Sequence, residues 1–568
     1  MENNIARGPK APKDPTKKRS VIYIMLDDAI EGRPNGHGGF SDVNFLNGRV
    51  AAKVTNLLPE LDKELARELQ TCEGFRKIVH SIGVSIKADK EEDRNKIIRF
   101  AQQSSAAKGP GTAFPAEVVC DGRENIIVVE EYPAAEGEQV LSAFFFEFPS
   151  YFTGKATIAY YLNDGYEVPE LIPDPPVQFD SEAYKNMIAR SCMQTGNLYR
   201  MKKAIAKAKA GEDVTIAYIG GSITQGAAAK PIGTNSYAYR SYEMFKKRFG
   251  KGDGSNVHFI KAGVGGTPSE LGLTRYEDDV LRQGAVKPDV VVIEFVVNDA
   301  GDETNGVCYE SLALMAMEGP GNPAVVLLFS VFMDDYNLQD NLSRVGYHYD
   351  LPMVSIKNAV TPNFYEDTPV ITKRQYFYDL FHPSNDGHRI MADCLDYLWQ
   401  LAEEGDEPAE DVDLTKDGVI GNRYRALIAF GKDDCAKHVK ALQTGSFTET
   451  DNALQCVEQD ANAFTTPEFP DHWMYNGDTK QPESFTMTIT CKDLLLVYKD
   501  SGDPSFGTAE VLVDREVTRT INPLEVGWNH CNAVIVYTGE EAKEHQVEVR
   551  MTDAAKKFTI LGFGYTIK

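Results

Sequence analysis

The stretch Ile216-Ala217-Tyr218-Ile219-Gly220-Gly221-Ser222-Ile223-Thr224-Gln225-Gly226 decides the fold of this chain. It reads as a buried apolar strand running into a glycine-flanked serine. Glycine permits a sharp turn and lets a ligand approach the backbone closely. The serine hydroxyl would then project from the end of a strand at the edge of a sheet, a placement that suits a nucleophile.

The sequence around this turn alternates helix and strand. The pattern predicts helix 199–209 closing at Gly211, strand 214–219, helix 237–249 closing at Gly250 and strand 257–260. It continues with helix 275–283, strand 290–297, helix 310–317, strand 324–332 and an amphipathic helix from Arg389 to about Leu401, opened by Gly387. Such alternation predicts a parallel sheet with helices on both faces, which binds ligands beyond the C-terminal ends of its strands.

Serine is a weak nucleophile unless a general base lies within hydrogen-bond reach. Tyr378-Asp379-Leu380-Phe381-His382-Pro383-Ser384-Asn385-Asp386-Gly387-His388 offers one. Asp379 and His382 are close enough for one short loop to present both, with His382 as base and Asp379 orienting its ring. An acyl-transfer intermediate also needs donors aimed at its oxyanion. Lys261-Ala262-Gly263-Val264-Gly265-Gly266-Thr267 would expose a backbone N–H after a strand. The run Pro288-Asp289-Val290-Val291-Val292-Ile293-Glu294-Phe295-Val296-Val297-Asn298-Asp299 ends in Asn298, whose amide can donate. Each segment alone is common, and Asn-Asp after a strand is more often a turn or helix cap. Asp299 is read in that structural role. The ordered set is what points to a site.

These four blocks, in this order, resemble the SGNH hydrolases, also called GDSL-like esterases. The match covers residues 211–404. It implies a flavodoxin-like, three-layer α/β domain with Ser222, Asp379 and His382 as catalytic triad. It also implies an oxyanion hole from the N–H groups of Ser222 and Gly266 and the side chain of Asn298. Gly220 to Gly226, Glu294 to Asp299, His382 to His388 and the approach from Thr195 to Glu212 look like the bacterial carbohydrate esterases that deacetylate plant polysaccharides. The chain departs from the common pattern at Lys261, where many members have asparagine, and at Val296, where the block has glycine.

The remaining candidates carry less weight. Tyr336, Asn337 and Gln339, in a segment expected over the sheet edge, could hold a sugar ring, and so could His348; a surface loop and a structural histidine are the plain alternatives. His388 is expected to cap or pack the following helix. The histidines show no metal-ligand spacing, no Cys-x-x-Cys occurs, and Cys308 has no base nearby, so neither metal nor cofactor is expected.

At 568 residues the chain exceeds one core. A net charge of −25 argues against nucleic acid or an anionic membrane as partner and suits uncharged esters. No apolar run reaches a membrane span. The polar start, Met1 to Ser20, carries no apolar signal segment, and nine scattered cysteines fit a reducing compartment, so a cytoplasmic location is expected.

Three blocks follow. Residues 1–178 form an accessory domain, α+β or β-sandwich, with strands at 20–26, 82–88, 117–131, 141–148 and 156–162. Charged helical stretches lie at 61–70 and 90–103, and a proline-rich linker closes the block. Residues 179–408 form the α/β domain. After an acidic linker, residues 413–568 carry short strands at 485–490, 494–498, 509–513, 533–537, 545–551 and 558–565, which predict a β-sandwich resembling the jelly-roll modules of carbohydrate esterases. Trp528 and His530 could face a ligand there, although core packing is the commoner role.

The expected function is a serine esterase that removes acetyl groups from hemicellulose oligosaccharides of xylan or mannan type through an acetyl-enzyme. Its partner would be the acetylated oligosaccharide, and accessory modules make a homo-oligomer plausible. Two alternatives stay open: an esterase or thioesterase for a non-carbohydrate acyl substrate, and an inactive carbohydrate-binding protein.

Overall fold

The computed structural model describes residues 18–35, 38–46, 50–58, 60–106, 110–460 and 465–568. The polar start up to Lys17, and His37, lie outside the described residues.

The central block holds a six-stranded sheet: β1 Cys192–Gln194, β2 Val214–Gly220, β3 Val257–Gly263, β4 Val290–Glu294, β5 Ala324–Phe329 and β6 Met353–Ser355. Their order is β3-β2-β4-β5-β6-β1, parallel throughout except for the antiparallel β6–β1 edge. The chain steps from β2 outward to β3, then back past it to β4. That reversal opens a crevice at the C-terminal ends of β2 and β4, where sheets of this kind hold ligands. Every residue of β4 and β5 is buried, which explains their near-continuous Val, Ile and Leu.

Helices around this sheet include α1 Tyr199–Ala210, α2 Tyr237–Phe249, α3 Ser269–Asp279, α4 Val307–Glu318 and α5 Asn385–Glu404. On α2, Tyr237, Ala238, Ser241, Tyr242, Phe245 and Phe249 are buried at helical spacing. Ser384 caps α5 by accepting from the Gly387 N–H, so the helix starts before Gly387. Gly211 ends α1 at φ 89°, the left-handed geometry expected of it. Gly250 ends α2 in an extended conformation instead. Its small size is needed because a Cβ there would lie 2.6 Å from Gly254 Cα.

Some boundaries differ from expectation. Helix α3 begins six residues before 275 and stops at Asp279, since Arg282 and Gln283 adopt positive φ. Strand β4 stops at Glu294, because residues 295–298 turn and the Asn298 N–H bonds the Phe295 carbonyl at 2.8 Å.

The N-terminal block builds an eight-stranded sheet whose pairs are all antiparallel. It packs with helices Val50–Leu57, Lys63–Glu68 and Cys72–Ile78 around its own core. The helix expected at 90–103 is absent. Residues Ile97–Ala106 are a strand in which Ile98, Phe100, Gln102 and Ser104 alternate inward, a period of two that outweighs the charged residues before it.

The C-terminal block is rich in antiparallel sheet. The strands expected at 485–490 and 494–498 form one strand, Phe485–Asp500, with a register shift between Cys491 and Asp493. Asp493, which resembles a turn residue in sequence, is fully buried and accepts from Arg423 at 2.6 Å and Thr566 at 2.6 Å. The strands at 533–537 and 545–551 also merge, into His530–Met551, whose middle runs exposed. Among the described residues, no helix is long and apolar enough to cross a membrane.

Arg275, 1% exposed, ties this architecture together. Its guanidinium donates to the Ala262 carbonyl at 2.7 Å, the Gly220 carbonyl at 2.9 Å and the Asp279 carboxylate at 2.8 Å. Arg275→Met leaves the buried Asp279 carboxylate without its cation, with the Gln459 amide still donating to it. We expect a loss of about 3–5 kcal/mol of stability, read as a lower midpoint in urea unfolding.

Candidate active site

Ser222 opens a single helical turn, Ser222–Gln225, immediately after β2. Close packing dictates the glycines beside it. A Cβ on Gly220 would lie 2.3 Å from the Glu294 carbonyl oxygen, and one on Gly263 would lie 2.0 Å from the Gln225 nitrogen. Gly226 sits at φ 99° and closes the turn.

The loop after α4, β5 and β6 returns to this point. Asp379 accepts from the backbone N–H groups of Phe381 at 2.8 Å and His382 at 2.9 Å, so its own carboxylate shapes the loop. The same carboxylate meets His382 Nδ1 at 3.0 Å, and His382 Nε2 lies 2.9 Å from Ser222 Oγ. The loop is pinned at both ends, by Tyr378 N–H to the His382 carbonyl at 2.8 Å and Met333 N–H to the Leu380 carbonyl at 3.0 Å. Burial works to raise the Asp379 carboxyl, yet His382, Lys53 and the Phe381 N–H together hold it well below the usual carboxylate range. Asp379 is therefore an anion facing an imidazole, and Nδ1 is the nitrogen that carries the proton toward it. Nε2 is left to accept from Ser222.

Asn298 lies against the other side of the turn. A Cβ on Gly221 would stand 2.1 Å from Asn298 Oδ1, so only glycine admits the amide beside Ser222. A Cβ on Gly265 would stand 3.7 Å from Ser222 Cβ, and Gly266 follows at φ 75°. Ser222, Gly265, Gly266 and Asn298 thus converge, together with Asp379 and His382.

The other sequence candidates separate. Tyr336 stacks on Phe332, which meets Phe381 edge-on at 4.8 Å, placing an aromatic run beside His382. Asn337 donates to the Ser330 carbonyl at 2.8 Å. Gln339 is buried and bonds Asn358 and Ser355, which occupies its amide within the fold. His348 is engaged by the Asp417 carbonyl at 2.8 Å. His388 accepts from the Tyr237 N–H and donates to the Ala227 carbonyl; burial pushes it down to about 3, so it is a neutral packing residue. Asp299 accepts from the Ser269 N–H at 2.8 Å and anchors the start of α3.

Residues far away in sequence also reach the site. Gln455 donates to the Gly265 carbonyl at 2.9 Å, and His530 bonds the Gly266 carbonyl at 3.1 Å. Trp528, 44% exposed, stands so close to Gly266 that a Cβ there would meet its ring at 2.9 Å. From the opposite flank, the N-terminal block sends Lys53 and Asn44 against Tyr378, and Asp42 against Lys230. Trp528 and His530 are the pair that the sequence offers as ligand-facing candidates; Gln455, Lys53, Asn44 and Asp42 carry no local pattern, because they act across interfaces.

Comparison with known proteins adds four findings. A family model described as the GDSL-like Lipase/Acylhydrolase family matches residues 218–390. The crystal structure of a two-domain esterase (CEX) active on acetylated mannans is similar at 28% identity and a TM-score of 0.56, over 67% of this chain and 99% of that one. A structure of such an esterase co-crystallised with mannopentaose gives 30% identity and a TM-score of 0.55 over the same shares. No curated protein sequence matches the chain.

Glu294, fully buried at the end of β4, underlies the turn and accepts from Thr224 Oγ1 at 3.1 Å and from Ser330 Oγ. Burial raises its carboxyl to about 7, the two hydroxyls opposing. The folded state therefore keeps a proton that the unfolded chain releases near pH 4.5. Its contribution is full below that pH and is lost as pH rises through 7. Replacing it (Glu294→Gln) should remove a fall on the order of 2–3 kcal/mol between pH 5 and 8, visible as a flatter Tm-against-pH curve.

Proposed function

The chain belongs to the GDSL-like lipase/acylhydrolase family, and we propose that it is a serine esterase that removes acetyl groups from plant-derived hemicellulose oligosaccharides. The observation that carries this reading is the unbroken series Asp379–His382–Ser222 at the C-terminal edge of β2.

In this mechanism His382 Nε2 takes the Ser222 proton as Oγ attacks the acetyl carbonyl. Asp379 holds the ring and stabilises the imidazolium. The oxyanion of the tetrahedral intermediate is received by the N–H groups of Ser222 and Gly266 and the Asn298 amide. The bond to the sugar oxygen then breaks, and His382 returns its proton to that oxygen. Water, deprotonated by His382, attacks the acetyl-enzyme, and acetate departs as Ser222 regains its proton.

The sugar assignment rests on three supports. The similar two-domain esterases act on acetylated mannans. Trp528 leaves 44% of its surface exposed beside Gly266, where an indole face can receive the C–H face of a sugar ring. A chain of net charge −25 favours uncharged esters over anionic ones. This reading divides the chain into an accessory domain at 1–178, a flavodoxin-like three-layer esterase domain at 179–408 and a jelly-roll β-sandwich at 413–568. The last supplies one wall of the cleft.

Acetate release from acetylated manno- and xylo-oligosaccharides should be Ser222-dependent, with Ser222→Ala lowering kcat by at least about 10⁴-fold. Equal release by both proteins would sink the assignment. The indole should matter only for the sugar. Trp528→Ala is expected to raise KM for oligosaccharides about tenfold while leaving turnover of a small aryl acetate within about threefold.

A further inference from the structure

The N-terminal block places a buried ammonium behind the loop that carries Asp379 and His382. Lys53, from helix Val50–Leu57, is 3% exposed, and its Nζ lies 4.4 Å from the centre of the Tyr378 ring. Tyr378 directly precedes Asp379, and its hydroxyl donates to Asn44 of the N-terminal sheet. The charged groups facing Lys53 come from four elements. They are Asp379 from the loop, Asp28 from strand Val21–Pro34, Asp42 from strand Phe40–Phe45 and Lys230 from the segment after the Ser222 turn. Lys230 is already paired with Asp42, both nearly buried. Lys230 shares Asp28 with Lys53, whereas the Asp379 charge is met by Lys53.

We infer that Lys53 is a positioning residue for the Ser222–His382–Asp379 array: its ammonium, delivered by the accessory block, shares the Asp379 charge with the His382 ring and so sets the pH at which the array works. This inference rests on the serine-esterase reading. Burial pushes the Asp28 carboxyl up to about 6, so above that pH a neutral Lys53 would leave Asp28, Asp42 and Asp379 together with Lys230 as their one ammonium, a costly surplus of buried negative charge. Burial pulls the Lys53 ammonium down, and Asp379 and Asp28 oppose that. With Lys53 charged, part of the Asp379 charge is spent on the ammonium and less is left to stabilise an imidazolium on His382. Removing the ammonium strengthens that hold. Removing Asp28, which competes for the ammonium, does the reverse.

The test is the pH profile of kcat/KM for an aryl acetate, run beside the rate at which a fluorophosphonate labels Ser222, which needs no sugar. Lys53→Met should move the acidic limb of both profiles up by about one pH unit. Lys53→Arg should restore it, and Asp28→Asn should move it down. A purely structural role would lower rates without opposite shifts. A folded Lys53→Met with its limb at the wild-type position, or shifts of one sign in Lys53→Met and Asp28→Asn, would overturn the inference while the esterase reading stood. Should Lys53→Met fail to fold, Asp28→Asn decides: an unmoved or raised limb overturns it. Wild-type protein that neither labels nor hydrolyses would overturn both readings together.

Discussion

The candidate site depends on one buried cation, the guanidinium of Arg275, clamped between the ends of two parallel strands. It holds the carbonyls of Gly220 and Ala262, so the Ser222 turn and the Gly265–Gly266 loop leave the sheet at a fixed separation. The Gly220 carbonyl already accepts from the Val264 N–H at 3.0 Å, and Arg275 adds a second donor there and one on Ala262, and balances its own charge on Asp279. Glycine at 220 and 263 is the steric counterpart, since either Cβ would collide with neighbouring backbone. Charge and size together place the serine where the Asp379 loop can reach it.

Around this frame the site is composite. The central block contributes Ser222, Asn298, Asp379 and His382. The C-terminal block laces Gly265 and Gly266 through Gln455 and His530 and lends Trp528 to the rim. The N-terminal block packs charged and aromatic groups behind the opposite loop. Val264 and Leu271 share an apolar cluster with Val497, Cys531, Ala533 and Leu561, so the C-terminal contact is a core and not a touching of surfaces.

Legibility in the sequence followed the range of the interactions. The Ser222 turn, Asn298 and the Asp379–His382 pair were readable as local motifs, the first two just past the ends of β2 and β4 and the pair in the loop before α5. Helix α2 was readable to its last residue because its apolar spacing and Ser236 cap are also local. Asp493 misled because a charged residue between apolar runs reads as a turn, whereas its partners Arg423 and Thr566 lie 70 and 73 residues away. Strand Ile97–Ala106 was hidden by the charges of residues 90–96, which lie outside its alternation. Gln339 looked available for a sugar until the fold supplied Asn358 and Ser355. Lys53 carries no local signature and Trp528 reads as an ordinary core aromatic or a ligand contact alike, since each takes its meaning from residues more than 250 positions away.

The double bracing of the loops changes how this edge moves. Loops at such an edge ordinarily open on their own, at little free-energy cost. Here the Gly265–Gly266 loop is bonded to one neighbour, and the Tyr378–His382 loop is packed against another. Neither can swing without parting an interface. The amides of the two loops should therefore exchange with solvent at rates set by undocking of the flanking blocks, making the candidate-site edge and the two interfaces one cooperative unit.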